Sequence, residues 1–450
     1  MFRRILIANR GEVAVRVART AREMGIATVG AVSRADRDAS WVERLDEVVC
    51  VGPAPPAESY LRAERIVQAA LQTRSSAVHP GWGFLAENAR FAALCSEHGL
   101  AFVGPRPHVM DRLGRKLPAK RALEEAGLPG IPGSSDLLTD VGTALAVAEE
   151  VGWPVMLKAD AGGGGRGMRV CRTAAELESA FEEAAREAAA AFGDSRLYLE
   201  RYFEGGRHIE LQILADQEGR AIHLGERECS VQRHHQKLIE ESPSPVLDDA
   251  ERERVGALAA RAAAAIGYTG AGTVELLRDR DGRLWFMEMN ARLQVEHPVT
   301  EMRSGVDLVR EQLRIAANER LALEQHEVRL EGASLECRIN AEDPERGFRP
   351  TPGRLEAFEL AREAGPGKVR VDTHLRAGDD VPPYYDSLLA KVITWGRDRD
   401  QAIATMLAAL RSSRVEGVAT TIPLHLAVLE SEAFRRGEYD TSAIPGWPRA

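Results

Sequence analysis

The sequence predicts an α/β protein with α+β parts, in which a doubly wound, Rossmann-like domain comes first and a mixed region comes last. An apolar run at 4–8, a glycine turn, an amphipathic helix and a second apolar run at 27–32 form the opening of a doubly wound sheet. Farther along, Asp281-Gly282 lies between two apolar-rich runs, which is a strong signal for an antiparallel hairpin. We therefore expect a parallel sheet near the N-terminus and antiparallel strands after it.

The composition is ordinary for a globular enzyme and argues against several other classes of protein. The 450 residues are 44% hydrophobic and should divide into roughly three domains. No apolar run reaches the ~18 residues that a membrane span needs, and a net charge of −9 argues against a nucleic-acid surface. The five cysteines are scattered and form no C-x-x-C pair, which favours reduced thiols over zinc or disulfides. We expect a cytoplasmic enzyme without membrane or nucleic-acid partners.

The N-terminal domain, which we place at 1–113, is predicted to be structural. It lacks the G-x-G-x-x-G fingerprint that follows the first strand of dinucleotide-binding domains. A glycine-rich stretch at 79–88 follows a short apolar run, and open sheets place ligands at such strand ends. A linking segment is placed at 114–130, in which a helix that contains Lys116 is predicted at 114–126, with a Gly/Pro-rich linker at 127–133.

A glycine-rich stretch between two apolar runs is predicted to be a lid, within a domain placed at 131–203. Residues 162–165 are four successive glycines with strand-like residues on both sides. A P-loop would show G-K-[ST] followed by a helix, and neither is present. Bare backbone N–H groups at a hairpin tip can approach phosphates without a side-chain clash. The alternative is a flexible loop that binds nothing.

Two neighbouring stretches carry ambiguous signals. A predicted strand at 197–203 ends in a glutamate and aromatic residues, which could seat an adenine ring; a plain core strand is the alternative. The run at 225–237 is too polar and dense for a core element, and one interpretation is a solvated charge run.

The stretch at 285–296 is the most informative part of the chain. From 288 to 296 polar and apolar residues alternate, which is typical of extended chain with one buried face. If the hairpin is centred between Asp281 and Gly282, Glu275 and Glu288 are equidistant from the turn and face each other. Facing carboxylates repel unless a hard cation such as Mg²⁺ bridges them. The alternative is two exposed glutamates on a solvated hairpin face.

Taken together, these stretches resemble the biotin carboxylase family of ATP-grasp ligases over essentially the full length. The motifs that carry the resemblance stand in the family's order, at 8–12, 79–84, 162–168, 226–237, 270–273, 288–301, 336–343 and 382–387. The resemblance implies an ATP-grasp lid at 131–203, and an ATP-grasp core plus a biotin carboxylase C-terminal domain at 204–450. It also implies that ATP drives the carboxylation of biotin by bicarbonate, by way of carboxyphosphate.

The resemblance further implies roles for individual residues. ATP would be bound by Lys116, Lys158, Gly163, Gly164, Gly165, Gly167, Met168, Glu200, Phe203, His208, Gln232, His235 and Leu277. Mg²⁺ (or Mn²⁺) would be held by Glu275, Glu288 and Asn290. Bicarbonate would contact Lys237, Arg292, Gln294 and Val295. Glu296 would be the general base for bicarbonate, and Arg338 would stabilise the biotin enolate.

Partners follow from the same resemblance. The sequence contains no Met-Lys pair, and hence no biotin attachment sequence of that kind. A separate biotin carboxyl carrier protein and a carboxyltransferase subunit are implied, as in the acetyl-CoA carboxylase of fatty acid biosynthesis, together with a homodimer. Two alternatives stay open: another ATP-grasp ligase that joins a carboxylate to an amine, and a catalytically silent nucleotide-binding partner.

Overall fold

The computed structural model describes residues 1–160 and 168–448, apart from the side chains of residues 191 and 192. Its N-terminal part consists of β1 (Arg4–Ile7), α1 (Gly11–Glu23), β2 (Ala27–Ser33), β3 (Glu47–Gly52), α2 (Ala63–Gln72), β4 (Ala77–His79), α3 (Ala89–Glu97) and β5 (Ala101–Phe102). The strands are parallel and stand in the order β3-β2-β1-β4-β5. The predicted doubly wound sheet is confirmed.

Both faces of this parallel sheet are buried, which explains why its strands are apolar without alternation. Leu6 and Val29 on one face pack with residues of α2 and α3. Ile5 on the other face packs in a cluster that contains α1, and also Leu214 and Leu293 from much later in the chain. This second contact joins the N-terminal domain to the central part of the protein.

The described residues of the next part of the chain form four helices and a small antiparallel sheet. Its elements are α4 (Pro107–Gly114), α5 (Lys116–Glu125), α6 (Val141–Val151), β6 (Val155–Ala159), β7 (Arg169–Cys171), α7 (Ala174–Phe192) and β8 (Leu197–Arg201). The strands stand in the order β7-β6-β8, and α6 and α7 pack on them. The hairpin strands β6 and β7 confirm the predicted surroundings of the glycine-rich tip, whereas the tip itself, 161–167, lies outside the described residues.

The helix predicted at 114–126 corresponds to α5, which ends at Glu125, and the predicted linker follows it. At its start the prediction is off by two residues, because α4 and α5 meet at Arg115. Gly127 adopts φ +96°, and Pro129 has no backbone N–H to donate, so neither continues a helix. The chain instead pairs briefly with Phe286 at the edge of the central sheet.

The remaining described elements build one long antiparallel sheet, three two-stranded sheets and the helices that pack on them. They begin with β9 (Arg207–Ala215), β10 (Ala221–Arg233), β11 (Gln236–Ser242), α8 (Asp249–Ala265), β12 (Gly270–Arg278), β13 (Leu284–Asn290), α9 (His297–Ser304) and α10 (Leu308–Ala316). They continue with β14 (Ala333–Asn340), β15 (Glu342–Asp343), β16 (Arg349–Pro350), β17 (Gly353–Arg354), β18 (Ala357–Glu359), β19 (Lys368–Thr373), β20 (Asp380–Val381), β21 (Leu388–Gly396), α11 (Arg399–Arg411), β22 (Arg414–Glu416), α12 (Ile422–Glu430) and α13 (Glu432–Arg436).

The long sheet has the strand order β13-β12-β9-β10-β11-β14-β21-β19. At one end α4, α5 and α8 cover an apolar face that includes Ile209, Val274 and Phe286. At the other end α11, α12 and α13 cover a second apolar face around Leu335 and Val392. Between them α9 lies across β10, β11, β14 and β21, over charged side chains. Within the described residues, no helix combines the length and the apolar character that crossing a membrane requires.

The run at 225–237 is not a solvated charge run, because most of it lies in β10, inside the sheet. Glu226 and Arg227 are both 0% exposed. Each charge has a partner: Arg227 pairs with the buried Glu210, and the half-buried Arg252 pairs with Glu226. Charged residues can be buried when each is paired and hydrogen-bonded, so polarity alone was a poor guide to burial here.

Replacing Arg227 by Ala should lower the free energy of unfolding by about 3–5 kcal/mol, because Glu210 then stays buried without its closest cation. Arg227 also donates to Gln212 at 2.7 Å and to Thr300 at 2.9 Å, and those acceptors would lose their donor. Urea denaturation measures the change. The exposed Arg254 of α8 supplies the control, since Arg254→Ala should cost no more than about 0.5 kcal/mol. Equal unfolding midpoints for the two variants would contradict the prediction.

Candidate active site

A row of charged side chains crosses four neighbouring strands of the long sheet. Glu288 of β13 faces Glu275 of β12. Glu275 in turn faces Glu210 of β9, and Glu210 faces Arg227 of β10. Side chains that are directly opposite in an antiparallel pair lie on the same face, with Cβ atoms about 5 Å apart. Three carboxylates in a row repel one another, so this part of the sheet requires cations among them.

The predicted pairing of Glu275 with Glu288 is confirmed, although the hairpin turn is not where the prediction placed it. Near the turn Leu276 pairs with Phe286, one residue away from the predicted register. Met287 is left without a partner on β12, and this β-bulge restores the predicted pairing at Glu288. If there were no bulge and Met287 paired with Glu275, Glu288 would pair with Val274 and its side chain would lie on the opposite face of the sheet, because side chains alternate along a strand.

Lys237, near the start of β11, neutralises the row. Its ammonium group donates to Glu210, to Glu275 at 3.0 Å and to Glu296 at 2.6 Å. Burial alone would lower the pKa of Lys237, but these three carboxylates outweigh burial and raise it well above its usual value. Burial alone would likewise raise the pKa of Glu296, but Lys237 and then Arg338 hold it well below its usual value. Both groups therefore stay charged in the buried site.

The extended strand predicted at 288–296 is too long. β13 ends at Asn290, and residues 291–296 form an irregular segment before α9 begins. The backbone leaves the sheet because the N–H of Ala291 donates to the side chain of Glu87, at 2.9 Å, and not to a neighbouring strand. Glu87 belongs to the glycine-rich loop of the N-terminal domain.

The segment between β13 and α9 still presents its polar side chains to the site. Arg292 pairs with Glu87 at 2.9 Å and donates to the side-chain oxygen of Gln294 at 2.9 Å. The carbonyl of Val295 accepts a hydrogen bond from the fully buried Lys391, also at 2.9 Å. These contacts place the predicted bicarbonate residues side by side.

Arg338 of β14 lies on the far side of Glu296 from Lys237. Its guanidinium donates to Glu296 at 2.8 Å and to Glu240 of β11 at 2.6 Å. One oxygen of Glu296 thus contacts Lys237 and the other contacts Arg338, and the residue is 0% exposed. A carboxylate held in this way is ionised and fixed in orientation, as a general base has to be.

The other end of the row also carries cations. Lys116, the first residue of α5, contacts Glu288. The Nε2 atom of His208 lies 3.1 Å from Glu275. Burial alone would lower the pKa of His208, but Glu275 outweighs burial and raises it. This end of the site can therefore attract phosphate groups.

The same end offers ligands that fit a hard divalent cation. Glu275 and Glu288 present facing carboxylates, and the side-chain amide of Asn290 donates to Glu275 at 2.9 Å. Mg²⁺ prefers one or two carboxylates and completes its shell with water and phosphate oxygens. Lys116 now occupies one of the carboxylates, so it would have to release Glu288 when a metal ion binds there.

The predicted nucleotide residues Lys158 and Glu200 lie on the small sheet, and Leu277 and His208 pair with each other on the long one. Lys158 of β6 contacts Glu200 of β8 through its ammonium group. Leu277 of β12 pairs directly with His208 of β9. The structure thus brings an apolar side chain next to the imidazole that faces the carboxylate row.

The other predicted nucleotide residues lie on several different elements. Phe203 stacks on Trp285 with ring centroids 5.7 Å apart. Gln232 is opposite Lys237 in the pairing of β10 with β11, and His235 is exposed in the turn between those strands. Met168 directly precedes β7. Outside the described residues lie Gly163, Gly164, Gly165 and Gly167.

Sequence reasoning missed three carboxylates of the site: Glu87, Glu210 and Glu240. A signal for Glu210 was present, because His208, Glu210 and Gln212 alternate with apolar residues in β9, as the residues after Glu288 do. Glu87 and Glu240 had no comparable signal. Each is defined by a partner far away in the sequence, so only the fold identifies it.

Comparison with known proteins places these features in a family. Three family models match: the biotin carboxylase N-terminal domain at 1–110, the ATP-binding domain of the carbamoyl-phosphate synthase L chain at 115–324, and the biotin carboxylase C-terminal domain at 336–445. The biotin carboxylase of Nostoc sp. is 52% identical over 443 residues, which cover 98% of each chain. The chain belongs to the biotin carboxylase family. The predicted resemblance is thereby confirmed.

Other biotin carboxylases are similarly close. Biotin carboxylase 1 of Bacillus subtilis is 51% identical over 445 residues, which cover 99% of this chain and 98% of that one. The biotin carboxylase of Campylobacter jejuni, solved with β-γ-ATP, superposes with a TM-score of 0.95 at 44% identity and covers 98% of both chains. The dimeric biotin carboxylase domain of Hydrogenobacter thermophilus 2-oxoglutarate carboxylase, solved with MgADP, ADP and bicarbonate, has a TM-score of 0.94 at 47% identity, covering 98% and 96%.

Replacing Glu296 by Gln should change how stability depends on pH. Lys237 and Arg338 overcome the effect of burial and hold the pKa of Glu296 below its unfolded value of about 4.3. A carboxylate with a lowered folded pKa contributes stability that is present above the unfolded pKa and is lost as pH falls through the folded pKa. The destabilisation of Glu296→Gln relative to wild type should therefore shrink below about pH 4.

Urea denaturation at a series of pH values measures this dependence. The control is Glu97→Gln, which removes an exposed carboxylate from α3. A Glu296→Gln destabilisation that stays constant down to about pH 3 would contradict the assignment of an ionised, cation-bound Glu296.

Proposed function

We propose that this member of the biotin carboxylase family carboxylates biotin with bicarbonate in an ATP-dependent reaction, the first half-reaction of a biotin-dependent carboxylase. One arrangement carries the proposal: the buried Glu296 carboxylate lies between Lys237 and Arg338, beside the facing carboxylates Glu275 and Glu288. Glu296 with its two cations suits a small oxyacid that must lose a proton. The pair of Glu275 and Glu288 suits metal-bound phosphates. Phosphoryl transfer needs such positioning and charge neutralisation more than covalent chemistry.

The bicarbonate ligands in this proposal are Lys237, Arg292, Gln294 and Val295. Lys237 and Arg292 supply positive charge, and Glu296 accepts the bicarbonate proton. Before bicarbonate binds, Lys237 and Arg338 keep Glu296 ionised, so that it is ready to accept. The bound anion competes with Glu296 for Lys237, which raises the pKa of Glu296 toward a value at which it holds the proton.

The nucleotide end neutralises the phosphates. The residues proposed to contact ATP are Lys116, Lys158 and His208 for the phosphates, Glu200, Phe203 and Leu277 for the adenine, His235 near the ribose, and Gln232, Met168, Gly163, Gly164, Gly165 and Gly167 around it. Mg²⁺ on Glu275 and Glu288, with Asn290 beside them, would supply further charge neutralisation for the phosphates. A bicarbonate oxygen attacks the γ-phosphorus in line, the bond to the ADP oxygen breaks, and carboxyphosphate forms.

The last step transfers CO₂ to biotin. Carboxyphosphate breaks down to CO₂ and phosphate. The phosphate takes the proton from the ureido nitrogen of biotin, and the deprotonated nitrogen forms a bond to the carbon of CO₂. Arg338 stabilises the negative charge on the ureido oxygen of the biotin enolate. Since Arg338 is 2.8 Å from Glu296, bicarbonate activation and biotin carboxylation share one small buried site. This closeness limits the escape of CO₂ between the steps.

The proposal includes partners and a location. Biotin would arrive on a carrier protein, and a carboxyltransferase would pass the carboxyl group to an acceptor; acetyl-CoA as acceptor would place the protein in fatty acid biosynthesis. A homodimer is supported by the dimeric relative from Hydrogenobacter thermophilus. A reducing, cytoplasmic location is supported by the cysteines, which are free thiols in the described structure.

A second candidate is another ATP-grasp ligase, one that joins a carboxylate to an amine. It is favoured by the match of residues 115–324 to a model named for carbamoyl-phosphate synthase. The flanking matches at 1–110 and 336–445 favour biotin as the acceptor. Arg338, which carries the proposed contact with biotin, lies in the last of these.

The purified chain should release ADP from ATP at a rate that depends on both bicarbonate and free biotin. Glu296→Ala should lower kcat by about 10²–10⁴-fold, the usual contribution of a general base. The control Glu97→Ala, on exposed α3, should leave kcat unchanged. Turnover with ammonia in place of biotin would support the second candidate. An unchanged rate in Glu296→Ala would remove the proposed general base.

Glu288→Gln should weaken the binding of a divalent ion, because one of two facing carboxylates loses its charge. With ADP present, electron paramagnetic resonance of Mn²⁺ should show at least about a tenfold higher dissociation constant. Glu204→Gln, which changes an exposed carboxylate just after Phe203, should bind Mn²⁺ as the wild type does. Identical Mn²⁺ affinity in both variants would argue against the metal site.

A further inference from the structure

Two buried glutamates face each other beside Arg338, and the proposed mechanism uses neither. Glu240 of β11 is directly opposite Glu336 of β14 in an antiparallel pair. Such partners have their side chains on one face, with Cβ atoms about 5 Å apart. Arg338 follows Glu336 by two positions and lies on the same face. Glu240 and Glu336 are both 0% exposed.

Glu240 and Glu296 hold the same guanidinium group of Arg338. The Oε1 atom of Glu240 accepts from Nε of Arg338 at 2.6 Å and lies 2.5 Å from Nη2, and that Nη2 also donates to Oε2 of Glu296 at 2.8 Å. The guanidinium therefore bridges a carboxylate with no assigned role and the proposed general base. Any turn of the guanidinium toward Glu240 weakens its contact with Glu296.

The remaining oxygens of the two glutamates are unpartnered. Among the described residues neither oxygen of Glu336 has a hydrogen-bond partner, and Oε2 of Glu240 has none. Burial, against the opposing effect of Arg338, raises the pKa of Glu240 to about 7, and burial raises the pKa of Glu336 well above its usual value. Two neighbouring buried carboxylates cannot both remain ionised at low cost, whereas one proton between them removes the repulsion and supplies a donor.

The cations around the two glutamates do not neutralise both carboxylates, so a proton is still required between them. The charged groups that face them are Arg338, Lys237, Lys391 and Glu296. Lys237 already serves three other carboxylates. Lys391 donates to a backbone carbonyl and pairs with a carboxylate of α1. Arg338 is shared with Glu296, which adds negative charge of its own.

We propose that Glu240 and Glu336 share one proton and that this carboxyl pair positions Arg338 for biotin. The inference rests on the proposed role of Arg338 toward the biotin enolate. Glu240 fixes the guanidinium through Nε, and the shared proton reduces the negative charge that Glu240 presents. Arg338 thereby keeps its positive charge available to Glu296 and to the enolate. If both glutamates were ionised, the guanidinium would be drawn toward them.

Infrared difference spectroscopy tests the shared proton without any substrate. At about pH 6, where an exposed glutamate is ionised, the wild type should show the carbonyl band of a buried carboxylic acid. Glu336→Gln should remove this carbonyl band, because Arg338 alone then keeps Glu240 ionised. Glu240→Gln should shift the frequency of the band, because the protonated Glu336 loses its partner. Glu241→Gln should leave the band unchanged, since Glu241 is also buried in β11 but pairs with Arg399.

A band that is unchanged in both Glu336→Gln and Glu240→Gln, or absent from the wild type, would overturn the shared proton. Such spectra need no catalytic activity. A wild-type chain without biotin-dependent turnover would therefore contradict the proposed function, whereas the spectra would still decide whether Glu240 and Glu336 share a proton.

Steady-state kinetics test the positioning of Arg338. Glu240→Gln should lower kcat/KM for free biotin by roughly ten- to a hundredfold, because a charge-assisted hydrogen bond to the guanidinium is lost. The KM for ATP should change by less than about twofold, since Arg338 contacts Glu240 and Glu296 and not the proposed phosphate end. Glu241→Gln should preserve both values.

Glu336→Gln gives a second kinetic test, because Glu336 does not contact Arg338. With the shared proton gone, Glu240 is fully ionised and draws the guanidinium toward itself. The kcat/KM for biotin should fall while the KM for ATP holds. Equal losses for biotin and ATP in both variants, with thermal unfolding showing that they are folded, would overturn the positioning role.

Discussion

Buried negative charge has to be matched by positive charge, and the arrangement of the site depends on this constraint. Lys237 contacts carboxylates from β9, β12 and the segment before α9, so a single ammonium group links three parts of the fold. The cations that neutralise the carboxylates in the free protein are those proposed to hold phosphate and bicarbonate. Substrate binding would thus exchange one set of anions for another around fixed positive charges, with little rearrangement of the sheet.

The N-terminal domain takes part in this arrangement although it carries no dinucleotide fingerprint. Its sheet packs on Leu214 and Leu293, which flank the site. Its glycine-rich loop supplies Glu87, which accepts from the backbone of Ala291 and from the side chain of Arg292. A domain without a dinucleotide fingerprint therefore determines where β13 ends and how the proposed bicarbonate arginine is oriented.

Local patterns predicted much of the fold and part of the site, and the limits of that prediction have physical reasons. Alternation and turn signals identified the hairpin, because it depends on residues close in sequence. The facing pair Glu275 and Glu288 was predicted from a register that is one residue off near the turn, and the bulge at Met287 compensates for that difference. The burial of Arg227 was missed, since its partners come from other strands. The end of β13 was missed because a side chain of a distant domain replaces the expected strand partner. The roles inferred for Arg338 and Glu296 came from the family resemblance, as no local pattern distinguishes them.

The bulge at Met287 has a consequence for how this hairpin tolerates changes in length. Between the turn and Glu288, β13 has one residue more than the facing part of β12, and this extra residue is Met287. Deleting Met287 would leave a regular ladder in which Glu275 still faces Glu288, at the cost of local twist. Deleting a residue on the turn side would instead expose Phe286, which is now in the apolar core. Adjacent single-residue deletions should therefore differ sharply in effect, and length variants among related chains would be expected to concentrate at the bulge.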